Sequence, residues 1–375
     1  MKTGIYFTMI VMFSLAACST MDVTVETAPA LVQVEKHEAT VSALPPATAQ
    51  GILPAPFYFI SQGQIWRSDN NGQILEQITH ETEAIVGMDV SPVNGSLAYI
   101  SANQLILIDA DGSNRRILTQ GITPPSNQDV VYRITNYMSS PAWSPDGLRL
   151  AYGLNGVNVI TLSSGHITHL LDNNPPPTGG FDIISTYEPR SWTLDGKWIF
   201  VRGATTCQFL PAEGTAELGD EFWGGGCAIT WSNDKQSVFA AGSGSVYSLF
   251  GVWQIDASTG AVTLLLKEDE TFTETTSAAF PIQAPDGQLY FFYQAADEDA
   301  KPMLVAAPLT DMTKMTPLRS ITLNSDIFWS EALWAPDASL VIISMYKGPM
   351  HILQTDDTPM ITLPVSGASN LRWGK

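Results

Sequence analysis

Short runs of alternating apolar and polar residues, each introduced by a tight turn, recur along most of this chain. In residues 141–171, a short apolar segment is followed by the turn Pro145-Asp146-Gly147 and by the alternating run Arg149–Gly153. Residues 156–162 and 166–171 continue the alternation across a second turn. A period of two predicts β-strands, and Pro-Asp-Gly favours a tight turn. This segment therefore predicts four antiparallel strands joined by short connections.

The four-strand unit is repeated along the chain. An aromatic or large residue followed by a turn related to Ser-Pro-Asp-Gly recurs at intervals of 39 to 53 residues. The anchor residues of these copies are Val90, Trp143, Trp192, Trp231, Gln283, Trp334 and Trp373. Repeats of about 40 to 50 residues with four strands each are typical of β-propeller blades. A single blade cannot bury both faces, so blades pack around a ring, and we expect the anchor tryptophans to pack between them.

The two ends of the repeated region predict how the ring closes. Residues 57–61, 63–67 and 74–79 form three strands without a first strand before them, whereas residues 370–373 form a first strand with nothing after it. Joining the ends completes one composite blade and removes an exposed sheet edge. We therefore predict an all-β propeller of seven four-stranded blades, closed by the C-terminal strand pairing with the N-terminal blade. A six-bladed ring is the alternative if the weak unit at Trp192 is an insertion.

The repeated turn resembles that of the TolB-type β-propellers, whose blades carry a Trp-Ser-Pro-Asp-Gly turn followed by an apolar strand. Residues 143–147, 193–196, 284–287 and 335–337 match this pattern, and the resemblance extends from about residue 57 to the end. The resemblance implies a propeller fold and says little about chemistry, because the motif is a turn and packing device. The region before the repeats is too short for the separate N-terminal domain of TolB, so the partners of TolB are not expected here.

The N-terminal region lacks the repeat. Residues 1–17 contain a basic residue and an apolar run, and they end in Leu-Ala-Ala before Cys18. This resembles a bacterial lipoprotein signal, in which cleavage leaves Cys18 as the lipid-modified N-terminus. An ordinary secretory signal is the alternative. We predict a signal peptide over 1–17, a flexible tether rich in Ala, Thr, Val and Pro over 18–54, and a propeller domain over 55–375. The lipid would anchor the chain to a bacterial membrane, facing the periplasm or the cell exterior.

The other two cysteines form an even pair in a chain predicted to be exported. Cys207 and Cys227 bracket a stretch rich in Gly and acidic residues that shows no strand alternation. A disulfide between them would close a loop of about twenty residues and contribute on the order of 3 kcal/mol to stability. We predict a structural disulfide here rather than a redox or metal site.

The charge balance limits the kinds of partner. The chain has 18 Lys and Arg residues against 37 Asp and Glu residues, a net charge of −19. An acidic protein without a basic stripe repels the phosphates of nucleic acids. The acidic residues are scattered, which favours solubility over a cation site. We expect no nucleic-acid partner, and we expect a monomer.

Four long segments predict a binding face. Residues 120–140, 172–189, 267–279 and 319–331 each join the last strand of one blade to the first strand of the next, so they share one face of the ring. Long loops on a rigid scaffold commonly carry binding groups, and aromatic rings combined with charges suit a sugar or a peptide. Packing of the loops against the ring is the alternative role for these side chains. The candidate binding residues are Tyr132, Tyr137, Phe181, Tyr187, Glu188, Arg190, Phe328, Trp329 and Glu331.

The sequence contains no recognisable catalytic set. It has no Gly-x-Ser-x-Gly motif, and the pair His166 and His169 is spaced three apart on a predicted strand, which points the two rings to opposite faces. We predict no metal site and no cofactor. The aspartates Asp146, Asp195, Asp234, Asp286 and Asp337 recur once per blade, which favours a role in capping turns.

These observations favour a non-enzymatic role. We predict a lipid-anchored, extracytoplasmic, TolB-like propeller that acts as a binding or scaffolding module for protein, peptide or envelope glycan. The alternative is a carbohydrate-active hydrolase or lyase with its site on the long-loop face. Carboxylates such as Glu188 and Glu331, brought together from different blades, would then carry the chemistry.

Overall fold

The computed structural model shows a closed ring of small β-sheets. The described residues are 51–73, 75–122, 136–173, 186–203, 206–214, 222–223, 229–242, 251–267, 277–295, 300–321, 331–345 and 347–375. They contain 28 strands that pair as seven antiparallel four-stranded sheets. The predicted seven-bladed, all-β propeller is therefore confirmed. The unit anchored at Trp192 forms a blade of its own, which excludes the six-bladed alternative.

The strands are numbered in chain order. They are β1 (Phe57–Ser61), β2 (Gln64–Ser68), β3 (Leu75–Gln77), β4 (Gly87–Val90), β5 (Leu97–Ser101), β6 (Gln104–Ile108), β7 (Arg116–Gln120), β8 (Ser139–Trp143), β9 (Arg149–Gly153), β10 (Gly156–Thr161), β11 (Ile167–Asp172), β12 (Glu188–Trp192), β13 (Trp198–Arg202), β14 (Thr206–Pro211), β15 (Phe222–Trp223), β16 (Ile229–Trp231), β17 (Ser237–Gly242), β18 (Gly251–Asp256), β19 (Val262–Lys267), β20 (Ser277–Gln283), β21 (Gln288–Gln294), β22 (Met303–Pro308), β23 (Thr316–Ser320), β24 (Glu331–Trp334), β25 (Leu340–Ser344), β26 (Pro349–Gln354), β27 (Ile361–Ser366) and β28 (Ser369–Trp373). Blade 1 has the order β28-β1-β2-β3, and blades 2 to 7 each take four consecutive strands from β4 onward.

The ring closes through blade 1, as predicted. Strand β28 pairs antiparallel with β1, with Phe57 opposite Trp373 and Tyr58 opposite Arg372. Beyond the strand, the Gly374 N–H donates to the Pro56 carbonyl at 2.7 Å. The last strand therefore supplies the first strand of the first blade, and both ends of the repeated region are held in one sheet.

The hydrophobic core is divided into seven clusters, one at each contact between adjacent blades. In the cluster between blades 2 and 3, for example, Trp143 packs with Ile100 and Leu105 of the preceding blade. The indole N–H of Trp192 likewise donates across blades to the Ala142 carbonyl at 3.0 Å, and that of Trp373 donates to the Trp334 carbonyl at 2.7 Å. The anchor tryptophans therefore pack between blades, as expected.

The repeated aspartates cap the first turn of their blades. Asp146 Oδ1 accepts hydrogen bonds from Ser144 Oγ at 2.5 Å and from the Leu148 N–H at 2.9 Å. Asp234 repeats the arrangement, and hydrogen bonds from the Ser232 hydroxyl and the Gln236 N–H lower the pKa of its carboxyl. These aspartates hold turns, which confirms the interpretation of the repeat as architecture.

Several predictions about the N-terminal region and the cysteines stay predictions. The signal peptide, Cys18, Cys227 and most of the tether lie outside the described residues. Leu53, near the end of the predicted tether, is buried between blades 7 and 1, and its N–H donates to the Asn70 carbonyl at 2.8 Å. Cys207 is fully buried on β14. Among the described residues, no helix is long and apolar enough to span a membrane.

Candidate functional site

The first strand of each blade lies closest to the axis of the ring. Strands β4, β8 and β12 contact one another in sequence, as do β24, β28 and β4, and β16 and β20. The four long segments lead into such inner strands, because they connect β7 to β8, β11 to β12, β19 to β20 and β23 to β24. Residues at the beginning of these inner strands therefore lie on the face that carries the long segments.

The predicted binding residues fall into two groups. Tyr132, Phe181, Phe328 and Trp329 lie outside the described residues. Of the others, Tyr137 precedes β8 and is 45% exposed, and Tyr187 precedes β12 and is half-buried. Glu188 and Arg190 belong to β12, and Glu331 begins β24. Their role in binding stays a prediction.

The inner strands are irregular near the face that carries the long segments. The register of β12 shifts between Pro189 and Ser191, at Arg190. Equivalent shifts occur in β8, β20 and β28, where Ser140, Phe280 and Asn370 have φ values of 35°, 52° and 55°. Such bulges change the direction in which a side chain points and are common beside functional sites. The bulge in β12 sets the position of Arg190.

Arg190 is the centre of a group of charges. Its Nη2 lies 3.1 Å from Glu188 Oε2. Burial lowers the pKa of the Arg190 guanidinium, the negative charges of Glu188 and Glu331 oppose this effect, and the positive charges of Arg202 and Arg372 add to it. The guanidinium remains charged, because the ordinary pKa of arginine lies far above physiological pH.

The interacting charges come from opposite sides of the ring. Arg190 belongs to blade 4, Arg372 to blade 1 and Glu331 to blade 7. Blades 1 and 7 are the two blades farthest from blade 4 in a ring of seven. Because Arg372 and Glu331 nevertheless influence the pKa of Arg190, we infer that these side chains point towards the axis. We name Glu188, Arg190, Arg202, Glu331 and Arg372, together with Asp89, the axial cluster.

Asp89 joins the axial cluster to the surrounding blades. Its Oδ1 lies 2.9 Å from Arg372 Nε, and its Oδ2 accepts a hydrogen bond from the backbone N–H of Trp143 at 2.7 Å. Burial raises the pKa of the Asp89 carboxyl, whereas the Arg372 guanidinium and the Trp143 N–H oppose that rise. Asp89 thus connects blades 1, 2 and 3 at the level of the axis.

The unused hydrogen-bonding capacity of the axial cluster lies with donors. Asp89 and Glu188 pair with arginines, and Glu331 Oε2 accepts from the Leu371 N–H at 3.2 Å. In contrast, Arg190 Nε and the neighbouring Ser191 Oγ are buried without a hydrogen-bond partner among the described residues. Leaving a buried donor unpaired costs about 1–3 kcal/mol. An anionic group at the axis would satisfy the Arg190 Nε–H and would be attracted by the cation.

Sequence reasoning missed half of the axial cluster. Asp89, Arg202 and Arg372 are not among the predicted binding residues, because they lie within strands and not in or beside the long segments. A signal was present for two of them, since Asp89 and Arg372 each directly precede the anchor residue of their blade, at Val90 and Trp373. A comparison of this position across all repeats would have found both.

The histidines do not form a metal site in the described structure. His169 lies in β11, where its Nδ1 is 3.0 Å from Asn158 Oδ1 and its Nε2 is 3.0 Å from Asp172 Oδ1. His166 precedes that strand and is exposed. Across the described ranges, no group of three or more His, Cys, Asp or Glu residues could hold a metal ion.

The strand topology defines a seven-bladed β-propeller. Among solved structures, the chain is similar to TolB from Acinetobacter baumannii, with 14% identity over 86% of this chain and 67% of that chain and a TM-score of 0.45. It is also similar to Kuenenia stuttgartiensis hydrazine synthase, with 15% identity over 74% of this chain and 78% of that chain and a TM-score of 0.47.

A third similar structure is the dihydro-heme d1 dehydrogenase NirN, with 11% identity over 88% of this chain and 77% of that chain and a TM-score of 0.47. No sequence-family model and no curated protein matches the chain. At these identities the likenesses concern the fold alone.

Proposed function

We propose that this chain is a lipid-anchored, extracytoplasmic binding or scaffolding propeller for a protein, a peptide or an envelope glycan. Its ligand engages the face that carries the long segments and inserts an anionic group at the axial cluster. The observation that carries this proposal is Arg190, a partly buried cation at the axis whose Nε atom is buried without a hydrogen-bond partner among the described residues.

The chemistry of Arg190 favours a carboxylate or a related anion. A guanidinium presents its donors in a planar fork that matches two oxygen atoms, and such charge-assisted pairs are stronger when water is excluded. Glu188 occupies one Nη group of this fork, whereas the Nε–H group has no partner among the described residues. The net charge of −19 repels anions at long range, but this field is screened over about 8 Å at physiological salt. Binding is therefore local to the axis.

The proposal includes the predicted lipid anchor and the predicted disulfide. Lipidation at Cys18 would hold the propeller at a membrane surface, with residues 18–54 as the tether. A disulfide between Cys207 and Cys227 would fix the irregular part of blade 4. The full burial of Cys207 on β14 supports a structural role for this cysteine.

The test is affinity capture from cell envelopes with three forms of the anchored protein. Wild type, Arg190→Ala and Arg116→Ala are compared, since Arg116 is exposed on the outer strand β7 and serves as the control. We expect a ligand that wild type and Arg116→Ala retain and that Arg190→Ala loses, with all three melting at similar temperatures. Equal retention by Arg190→Ala would remove the axial cluster from the proposal.

A second candidate function is the hydrolase or lyase of the alternative prediction. Glu188 and Glu331 both begin inner strands and both influence Arg190, which favours a shared carboxylate site. However, each carboxylate already accepts a hydrogen bond from the protein. We expect no turnover when wild type is incubated with envelope glycans. Turnover that is lost in both Glu188→Gln and Glu331→Gln would establish the enzyme instead.

A further inference from the structure

A second concave site lies between blades 2 and 3, away from the axial cluster. It has a volume of about 420 Å³, within the range of sites that hold small ligands. Two turns border it, at residues 102–103 between β5 and β6 and at residues 154–155 between β9 and β10. Turns that join second and third strands lie on the same face as the long segments. We name this site the inter-blade groove.

Two buried asparagines build the inter-blade groove. Asn103 Nδ2 donates to the Ile122 and Asn136 carbonyls at 3.0 and 2.9 Å, and its Oδ1 accepts from the Met138 N–H at 2.7 Å. Asn158 Nδ2 donates to the Leu154 carbonyl at 2.7 Å. These bonds hold the backbone on both sides of the groove, so its shape is fixed by the protein itself.

The bond to Leu154 also orients the side chain of His169. Because the Asn158 Nδ2 group faces Leu154, its Oδ1 faces His169 Nδ1 at 3.0 Å. The other ring nitrogen, Nε2, lies 3.0 Å from Asp172 Oδ1. His169 and Asp172 are the only ionisable residues that line the groove among those the structure describes, and they pair with each other. The ring of His169 is therefore held between Asn158 and Asp172 at the edge of the groove.

The remaining lining is rich in amides with a small apolar surface. Gln120, Asn136 and Asn155 line the groove, and each amide side chain can both donate and accept a hydrogen bond. Ile122, which is 66% exposed, and Leu154 supply the apolar surface. A sugar carries hydroxyl groups around an apolar ring face, and it is therefore complementary to these amides and this apolar surface. The amide groups match the uncharged hydroxyl groups of such a ligand as donors and acceptors.

We propose that the inter-blade groove binds a neutral sugar residue of a glycan. It does so without cleaving the glycan, because Asp172 is the only carboxylate that lines the groove in the described structure, whereas glycosidases use a pair. The groove depends on the two Asn turns of blades 2 and 3. The corresponding turn of blade 7 carries Lys347 and Gly348 instead and provides a control position.

The test is calorimetric titration of the full-length protein, in a detergent without a sugar headgroup, with neutral sugars. Glucose, galactose, mannose, N-acetylglucosamine and their short oligomers are the probes. We expect saturable binding of at least one of them, weakened at least about tenfold in Asn155→Gly and in His169→Ala and unchanged in Lys347→Ala. Asn155 has a φ of 50°, so glycine keeps the turn and removes only the amide.

Two results would overturn the proposal. One is the absence of binding for every neutral probe at millimolar concentration in protein that melts cooperatively. The other is binding that persists in both Asn155→Gly and His169→Ala. Because the probes are uncharged and the variants lie outside the axial cluster, either result leaves the proposed axial function intact.

Discussion

Two non-glycine residues in the repeated turn have a strained backbone conformation. Gly147, Gly196 and Gly287 occupy its last position with φ values of 69°, 70° and 85°. Lys235 and Ala338 occupy the same position in blades 5 and 7 with φ values of 60° and 58°. This left-handed conformation costs a non-glycine residue about 1 kcal/mol, whereas glycine adopts it readily. Two of the seven blades therefore contain a suboptimal turn residue.

We expect Lys235→Gly to raise the free energy of unfolding by about 0.5 kcal/mol, because the relief of strain exceeds the added freedom of the unfolded chain. Ala338→Gly should gain less or nothing, because Ala338 is buried in the core between blades 6 and 7 and the change also removes a packed methyl group. Urea denaturation of each variant measures this effect. Gly287→Ala, where the added methyl has open space around it, is the matched control and should lower stability. A loss of stability in Lys235→Gly would contradict the assignment of strain.

The hydrogen bonds to the Asp256 carboxylate make the stability of the protein depend on pH in a specific way. Hydrogen bonds from the Ser258 and Thr259 hydroxyls, together with their backbone N–H groups, lower the pKa of its carboxyl to about 2. A depressed folded-state pKa stabilises the protein above the ordinary pKa of about 4, and the effect is lost as pH falls towards 2. We expect wild type to be more stable than Asp256→Asn above pH 4, with the difference shrinking towards pH 2. A difference in urea midpoint that does not change with pH would contradict this account.

Among the structural elements, the inner strands show where sequence reasoning succeeds and where it stops. The run predicted at residues 57–61 and the run Arg149–Gly153 match β1 and β9, because simple alternation defines them. The inner strand predicted from residue 141 begins at Ser139 instead. It contains a bulge at Ser140, whose backbone has a left-handed conformation. No local pattern indicates such a bulge, since contacts with the neighbouring inner strands impose it.

The anchor tryptophans allow a matched comparison of elements. The Trp192 indole N–H donates to the Ala142 carbonyl at 3.0 Å, whereas the Trp143 indole N–H is buried without a partner among the described residues. We expect Trp192→Phe to lower the free energy of unfolding by about 1 kcal/mol more than Trp143→Phe, since only the former breaks a hydrogen bond. Thermal or urea denaturation measures both variants. Equal losses would show that packing alone, and not this bond, holds the blades together.

At the scale of the whole molecule, closure by β28 makes the ring one cooperative unit. The last residues provide the Phe57–Trp373 ring contact, at 6.2 Å between centroids, and the Arg372–Asp89 ion pair. Deleting residues 370–375 removes both and exposes the edge of β1. We expect a single unfolding transition at a clearly lower Tm. A truncated protein that melts like the intact one would contradict the closure.

Closure also explains how much of the candidate site the sequence predicts. Glu188, Arg190 and Glu331 could be chosen because they border long segments at the start of inner strands. The partnership of Asp89 with Arg372 joins residues 283 positions apart, and it exists only because the ring brings the last strand beside the first complete blade. Pairings of this kind follow from the number of blades and cannot be obtained from local patterns.

The most direct test of the proposed function observes the Arg190 Nε–H group itself. In protein labelled with ¹⁵N-arginine, the captured ligand is titrated while the Nε–H signals are followed by NMR. Arg319 is the internal control, because its Nε is also buried without a partner in the described structure but lies on the outer strand β23. We expect the Arg190 signal to shift on binding and the Arg319 signal to stay unchanged. Saturating binding that leaves the Arg190 signal in place would contradict an axial anion site.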